Sequence, residues 1–284
     1  MDFKPMNIDG MKSFAKGGTG ECIRIGEDQI LKLYYDGFPK ERALQEKRNA
    51  KTAFVAGIPT PISFDLVTAN GRYGIVYELI NSKTMSEILQ ENPDKAESIG
   101  RVLAELAKTI HKAVVKETDF PRSTEKIVKA IPSAEYLDDS TRKNIEAFIQ
   151  ELNQYTTYAH GDFHTNNIIL TNGEYMLIDM GSFSIGCPMF DLAVLHFSLF
   201  DSPESVSGEI SAFNGLDRKT RNAVWNVFEE EYFKECTPEE KEQQLLLLDK
   251  VLLLIKFRFD ALYGDKFSSD YSDHIREQVL KTFG

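Results

Sequence analysis

The sequence predicts an α+β protein, with a small antiparallel sheet and one important helix in its first part and a larger, mainly helical part from Thr84 onward. Three observations lead to this prediction. Short apolar segments in the first part are separated by turn signals, among them Asn70-Gly71, which is typical of a tight hairpin. From Thr84 onward, apolar residues recur mainly at helical spacing. The pair Asn172-Gly173 predicts one further hairpin within the helical part.

Length, composition and charge set the class of protein. A chain of 284 residues can bury a full core, and 42% hydrophobic with 27% charged residues is ordinary for a globular protein. The net charge of −11 argues against nucleic acid or an anionic membrane surface as the main partner, because both require clustered Lys and Arg. It is compatible with a cationic substrate.

Cysteine usage and hydropathy predict a cytoplasmic location. The three cysteines show no metal-binding spacing and are typical of free thiols in a reducing compartment. The N-terminal residues lack the apolar core of a signal peptide. The most apolar stretch, Leu245–Ile255, is interrupted by Asp249 and Lys250 and is too short to span a bilayer, so it predicts a buried helix and no membrane partner.

The first strands enclose a glycine-rich turn. Strands are predicted at Ser13–Lys16, Glu21–Ile25 and Gln29–Tyr35, with Gly17-Gly18-Thr19-Gly20 between the first two. Glycines let backbone N–H groups approach phosphate oxygens because no Cβ blocks the way. The pattern is not a full Gly-x-Gly-x-x-Gly, so both a phosphate-binding loop and a simple turn remain open.

Lys32 and Glu46 are charged residues at positions that look buried. The neighbours of Lys32 on its strand are all apolar, which predicts a strand covered on both faces, where an unpaired ammonium would be costly. Residues 39–56 predict a helix that ends at Gly57. Glu46 is on its apolar stripe, together with Ala43, Ala50 and Phe54. We therefore expect an ion pair between Lys32 and Glu46.

The rest of the chain is predicted from turn signals and helical periodicity. Strands at 62–68 and 73–79 flank Asn70-Gly71, and residues 119–157 form a polar, helix-rich insert. His111 is predicted to be a packed or helix-capping histidine. The predicted helices are Met85–Glu91, Pro93–Lys116 (with a stripe of Ile99, Leu103, Leu106 and Ile110), Phe190–Phe200, Arg218–Glu231, Pro238–Tyr263 and Tyr271–Thr282.

Residues 158 to 181 contain the polar side chains most suited to binding a metal ion. The hairpin predicted around Asn172-Gly173 should place its open ends side by side, with Asn167 entering the first arm and Asp179 leaving the second. Asp162 is five residues before Asn167, on the loop that leads into the hairpin. Two carboxylates and an amide oxygen at one edge are hard ligands suited to Mg²⁺. The alternative is a surface hairpin with ordinary polar loops.

These residues resemble a known family. His160-Gly161-Asp162, then Asn167, then Asp179-Met180-Gly181 is similar to the catalytic core of the aminoglycoside phosphotransferase and choline kinase-like family, within the protein-kinase-like superfamily. The resemblance covers most of the chain. It implies a protein-kinase-like two-lobed fold, with an ATP-binding lobe at 1–81 and a catalytic and acceptor-binding lobe at 82–284. It also implies transfer of the γ-phosphoryl group of Mg·ATP to a hydroxyl of an aminoglycoside-, choline- or sugar-like acceptor.

The resemblance also implies residue roles. Asp162 would orient the acceptor hydroxyl and take its proton, while Asn167 and Asp179 would hold Mg²⁺. Lys32, oriented by Glu46, would contact the α- and β-phosphates of ATP. The remaining expected contacts are the Gly17–Gly20 turn over the phosphates, the backbone of Glu78 and Ile80 on adenine, and loop bracing by Asp191 and by a backbone hydrogen bond of His160.

Some alternatives remain open. Many family members have Pro-Gly where this chain has Thr165-Asn166, and spacing selects Asn167 over Asn166 as the metal ligand. A non-enzymatic pseudokinase usually lacks one of the residues corresponding to Lys32, Asp162 or Asp179. A protein Ser/Thr kinase would need a longer segment after Asp179. The acidic residues between 229 and 240 predict a solvated face or, alternatively, an electrostatic funnel for a cationic acceptor.

Overall fold

A computed structural model describes residues 2–78, 83–116, 120–202 and 210–284. The chain divides into two compact units, which we call the sheet unit (Met1–Thr84 with Asn167–Phe183) and the helical unit (Met85–Asn166 with Ser184–Gly284). The predicted α+β class is confirmed. The lobe boundary predicted between residues 81 and 82 falls in the gap at 79–82 and stays a prediction.

The sheet unit contains a six-stranded sheet. The strands are β1 Lys4–Pro5, β2 Ser13–Lys16, β3 Gly20–Arg24, β4 Gln29–Tyr34, β5 Ser63–Ala69 and β6 Arg72–Glu78. Their order in the sheet is β1-β5-β6-β4-β3-β2, and all neighbouring strands are antiparallel except the β1–β5 pair.

Local sequence determines both the turns and the faces of this sheet. Asn70 and Gly71 have φ of 51° and 76°, as a type I′ hairpin turn requires. Along β4, Leu31 and Leu33 belong to one buried apolar cluster and Tyr34 to another. The strand that carries Lys32 is therefore covered on both faces, as predicted.

One helix, α1 (Lys40–Val55), follows the first four strands, and Gly57 after it has φ of 82°. Ala43, Glu46 and Ala50 are buried as predicted, but Phe54 is 51% exposed, so its placement on the buried stripe was wrong. Ala53 is buried instead. Because each helical residue advances by about 100°, Phe54 points well away from Ala53.

The second hairpin also belongs to the sheet unit. Strands β9 (Ile168–Thr171) and β10 (Glu174–Leu177) pair antiparallel, and β7 (Lys83–Thr84) lies on the other side of β9. Asn172 and Gly173 have φ of 48° and 85°. The backbone N–H of Ile178 donates to the carbonyl of Asn167 at 2.9 Å, so the open ends lie side by side, as predicted.

The helical unit contains the remaining elements. The apolar stripe predicted for helix α3 (Ala96–Lys112) is buried, but this helix ends at Lys112 and not at Lys116, because Ala113 is extended with ψ of 137°. Its elements are α2 Met85–Glu91, α3 Ala96–Lys112, α4 Glu125–Val128, α5 Asp139–Leu152, β8 Thr157–Ala159 paired with β11 Ser184–Gly186, α6 Met189–His196 with a π-helical continuation Phe197–Asp201, α7 Arg218–Tyr232, α8 Pro238–Tyr263 and α9 Ser269–Phe283.

Within the described ranges, no helix combines the length and the apolar character needed to cross a bilayer.

Candidate active site

Lys32 lies between two carboxylates. Its Nζ atom is 2.7 Å from Glu46 Oε1 and 3.0 Å from Asp179 Oδ1. The side chains of Lys32 and Glu46 are only 14% and 4% exposed. Burial alone would lower the pKa of Lys32, but the charges and hydrogen bonds of Glu46 and Asp179 outweigh it and raise this pKa well above its ordinary value. The predicted Lys32–Glu46 pair is confirmed, and Lys32 carries its charge at neutral pH.

Tyr77 on β6 also contacts this cluster. Its hydroxyl donates to Glu46 Oε1 at 3.2 Å, so that oxygen accepts from both Lys32 and Tyr77. Burial and the nearby Glu46 charge raise the pKa of Tyr77, which keeps the phenol protonated as a donor. Tyr77 was not predicted from the sequence as a member of this cluster. Lys32 pairs with Ile75 across the β4–β6 ladder, and this register would have placed Tyr77 on the same face.

Asp179 has an unusual backbone. Its φ of 60° and ψ of 62° are left-handed, a conformation that few non-glycine residues adopt, and a tight turn at Met180–Ser182 follows it. Its side chain is 38% exposed. Asn167 starts the opposite arm of the same hairpin, where its carbonyl accepts from Ile178. A carboxylate and an amide oxygen therefore belong to one end of this hairpin.

The oxygen atoms of the Asp179 carboxylate and the Asn167 amide are suited to a Mg²⁺ ion that binds together with a nucleotide. Among the residues for which coordinates are described, no group of three or more acidic, His or Cys side chains could hold a metal ion. Magnesium commonly uses one or two protein carboxylates, with substrate phosphates and water as the other ligands. Asp179 and Asn167 supply hard oxygens of this kind.

The glycine-rich turn closes the β2–β3 hairpin. The Gly17 N–H donates to the Gly20 carbonyl at 2.8 Å, and the Thr19 carbonyl accepts from Tyr35 N–H at 3.0 Å. A Cβ at Gly20 would overlap the Leu33 carbonyl oxygen, so glycine is required there by strand packing. A Cβ at Gly18 would have no heavy atom within 4 Å. A phosphate-binding role of Gly17, Gly18, Thr19 and Gly20 stays a prediction.

The adenine contacts also stay predictions. The Glu78 N–H donates to the Ile62 carbonyl at 3.0 Å, which continues the sheet. Ile80, the second residue predicted to contact adenine, lies outside the described residues.

Asp191 holds the loop that carries Asp162 in the helical unit. The fully buried Asp191 carboxylate accepts the backbone N–H of His160 at 2.9 Å and that of Gly161 at 2.7 Å. His111 Nε2 is 3.1 Å from the same carboxylate, and His111 Nδ1 is 2.8 Å from the Tyr232 hydroxyl. The predicted bracing role of Asp191 and the packed state of His111 are confirmed.

Asp162 is partly exposed and lies among cationic groups. Its N–H donates to His160 Nδ1 at 3.3 Å, which is the predicted backbone bond of His160. Its carboxylate is 3.5 Å from His164 Nε2 and 44% exposed. Burial would raise the pKa of Asp162, but the charge and hydrogen bond of His164 and the charge of Lys126 outweigh it and hold this pKa well below its ordinary range. The Arg258 guanidinium also interacts electrostatically with Asp162.

Asn166 and Asn167 have different surroundings. The Asn166 side chain donates to the Phe213 carbonyl at 2.8 Å, and both residues belong to the helical unit. Asn167 is the first residue of the hairpin segment of the sheet unit. The structure thus brings Lys32, Glu46 and Asp179 into contact, while Asp162 belongs to the helical unit.

Comparisons with known proteins define the family. Residues 14–222 match the model of APH, the phosphotransferase enzyme family. Two curated relatives are aminoglycoside 3'-phosphotransferases. The protein from Salmonella typhimurium is 24% identical over 79% of this chain and 83% of its own length, and the one from Escherichia coli is 22% identical with the same coverage. The solved structure of amicoumacin kinase hAmiN with AMP-PNP, Ca²⁺ and Ami is similar in fold, with a TM-score of 0.64 and 16% identity over 99% of this chain and 90% of that one.

The family match therefore defines a phosphotransferase, and its fold is similar to that of a solved kinase. The chain belongs to the phosphotransferase enzyme family.

Proposed function

We propose that this protein transfers the γ-phosphoryl group of Mg·ATP to a hydroxyl group of a small molecule, and that residues of both units take part. The observation that carries the proposal is the charged Lys32 held between Glu46 and Asp179. A buried cation fixed by two carboxylates is suited to bind phosphate oxygens without moving during the reaction.

The residues of the sheet unit would bind the nucleotide. Lys32 would neutralise and fix the α- and β-phosphates, and Glu46, held by Tyr77, would keep the Lys32 ammonium in place. Asn167 and Asp179 would hold Mg²⁺. When bound, the ion would offset negative charge on the phosphates.

Asp162 would act on the acceptor hydroxyl. Its lowered pKa keeps it ionised at neutral pH but makes it a weak base. Its main contribution would therefore be to orient the hydroxyl through a hydrogen bond and to accept the proton as the new P–O bond forms. The two N–H bonds from the loop to Asp191 would fix the backbone that presents Asp162.

The chain after Asp179 favours a small acceptor over a peptide. The turn at Met180–Ser182, strand β11 and the start of α6 at Met189 account for most of the residues between Asp179 and Asp191. A peptide-docking activation segment would require a longer insertion here. The presence of Lys32, Asp162 and Asp179 argues against a catalytically silent pseudokinase.

Two classes of acceptor have support. The names of the curated relatives favour an aminoglycoside, which is a polycation. The groups around Asp162 favour an acceptor with an anionic group, because two cations, Lys126 and Arg258, act on this one carboxylate. In the described part of the chain no carboxylate forms an ion pair with Arg258, so an acceptor anion would add a second negative charge that pairs with it.

An acceptor panel tests both the activity and the acceptor class. ADP release from Mg·ATP would be measured with aminoglycosides, choline, hexoses, homoserine, sugar acids and a generic peptide, with Asp162→Asn as the control protein. Acceptor-dependent ADP release that the variant loses supports the proposal, and the reactive compound identifies the charge class. Turnover with the peptide alone, or activity unchanged in the variant, contradicts it.

The cytoplasm is the location we propose, because ATP is available there and the free cysteines Cys22, Cys187 and Cys236 suit a reducing compartment.

A further inference from the structure

Asn49 is a fully buried amide on α1, three residues after Glu46. It has no exposed surface, and it lies on the same side of the helix as Glu46 and Ala50, which are also buried. A polar side chain at such a position is costly unless its hydrogen bonds are made. The partners of Asn49 therefore indicate what this residue does.

Two of its three hydrogen bonds cross to the turn that follows Asp179. The Asn49 side-chain nitrogen donates to the Met180 carbonyl at 2.8 Å and to the Phe183 carbonyl at 3.2 Å. Its oxygen accepts from Gln45, one helical turn earlier, at 2.7 Å. Both amide protons thus connect α1 to the two ends of one short turn.

The contact between α1 and this turn is close. A Cβ added to Gly181 would lie 3.1 Å from Glu46 Oε2 and 3.5 Å from Asp179 Oδ1. Lys32 contacts Glu46 on the helix and Asp179 immediately before the turn. The left-handed backbone of Asp179 is also a conformation that persists only when its surroundings restrain it.

We propose that Asn49 is a positioning residue that holds α1 and the turn after Asp179 in the register in which Glu46 and Asp179 both reach Lys32. This inference rests on the proposed function, because Asn49 affects nucleotide binding only through the cluster of Lys32, Glu46 and Asp179. Asn49 contacts neither carboxylate in a hydrogen bond and acts through the backbone of Met180 and Phe183.

The test compares two variants of the same amide network. Asn49→Leu keeps the number and branching of the side-chain heavy atoms and removes both bonds to the turn, whereas Gln45→Leu removes only the bond within the helix. Ile145→Val, in the core of α5 in the helical unit, controls for a general loss of stability. If Asn49→Leu does not fold, Asn49→Ala replaces it, because it removes the donors and adds neither volume nor charge.

The readout is nucleotide binding without turnover. Calorimetry would measure the Kd of ATP with Mg²⁺ and with EDTA for each folded protein, well below its unfolding temperature. We expect Asn49→Leu to weaken Mg·ATP binding about tenfold and to reduce the gain in affinity that Mg²⁺ gives, since loss of a buried hydrogen-bond partner has about this effect. Gln45→Leu and Ile145→Val should stay within about threefold of the wild type.

The outcomes separate the two proposals. A wild type that binds no Mg·ATP overturns the proposed function itself. If the wild type binds Mg·ATP, and Asn49→Leu binds it no more weakly than Gln45→Leu does, the positioning role alone is overturned. A tenfold loss in Ile145→Val would mean that affinity follows stability, and this also overturns the positioning role.

Discussion

Replacing Lys32 by Met tests the charged cluster most directly. The substitution keeps an unbranched side chain in the strand and removes the ammonium that bonds Glu46 at 2.7 Å and Asp179 at 3.0 Å. Glu46, only 4% exposed, then keeps the Tyr77 hydroxyl as a donor, but no other cation among the described residues pairs with it. Two carboxylates also remain close together without the charge that separated them.

The expected loss of stability is large. Breaking a buried ion pair by removal of one partner costs about 3–5 kcal/mol. The lower part of this range applies here, because Tyr77 still donates to Glu46 and Asp179 is 38% exposed. Replacing both charges, in Lys32→Met with Glu46→Gln, removes the uncompensated carboxylate, keeps an acceptor for the Tyr77 hydroxyl and should bring stability back to within about 1 kcal/mol of the wild type. Phosphoryl transfer should remain lost in both proteins.

Urea denaturation at 25 °C measures these differences. Far-UV circular dichroism follows the whole chain, and the fluorescence of Trp225, its single tryptophan, follows the helical unit. Lys4→Met is the matched control, because Lys4 and Asp65 pair at 2.9 Å but are 68% and 51% exposed. An exposed pair of this kind contributes less than about 1 kcal/mol.

Two results would refute this reasoning. One is a Lys32→Met protein no less stable than Lys4→Met, which would mean that the pair at Lys32 is solvated like a surface pair. The other is a double variant as unstable as Lys32→Met, which would mean that the lysine side chain, and not the unpaired charge, determines stability.

Three further predictions concern the loop and the hairpin. Asp162→Asn should lower kcat by about 10²–10⁴-fold with Mg·ATP affinity unchanged. Folding lowers the pKa of Asp162, so its carboxylate stabilises the fold above the unfolded-state pKa of about 3.9 and loses this effect as the pH falls below that value. The difference in unfolding free energy between the wild type and Asp162→Asn should therefore be constant near neutral pH and should shrink in acid. Asn167→Ala should raise the half-saturating Mg²⁺ concentration about tenfold. Asn166→Ala should leave this concentration unchanged and should lower the free energy of unfolding, measured by a thermal melt, by about 1 kcal/mol, because it loses a hydrogen bond to a backbone carbonyl. Asp191→Asn should cost about 2–3 kcal/mol and lower kcat, because an amide cannot accept both loop N–H groups as the carboxylate does; an unchanged melting temperature would contradict this bracing role.

Local chemistry made much of the fold predictable. Asn-Gly at 70–71 and 172–173 forces two successive positive φ values, so both hairpins follow from dipeptides. A lysine within an apolar strand and a glutamate on an apolar helical stripe predicted their ion pair, because neither charge can be buried alone. The order of the motifs then indicated the kinase-like fold.

Tertiary packing alone decided the rest. The Lys32–Asp179 bond joins residues 147 positions apart, and the Asn49–Met180 bond joins residues 131 positions apart. No local pattern encodes such contacts, since they depend on how closely α1 approaches the turn at Gly181. For the same reason the exposure of Phe54 and the early end of α3 were not predicted. Periodicity shows which face of a helix is apolar, but the neighbouring elements determine which edge of that face is covered and where the helix ends. The sequence by itself determined the chemical groups and their order along the chain, and packing determined which of them meet.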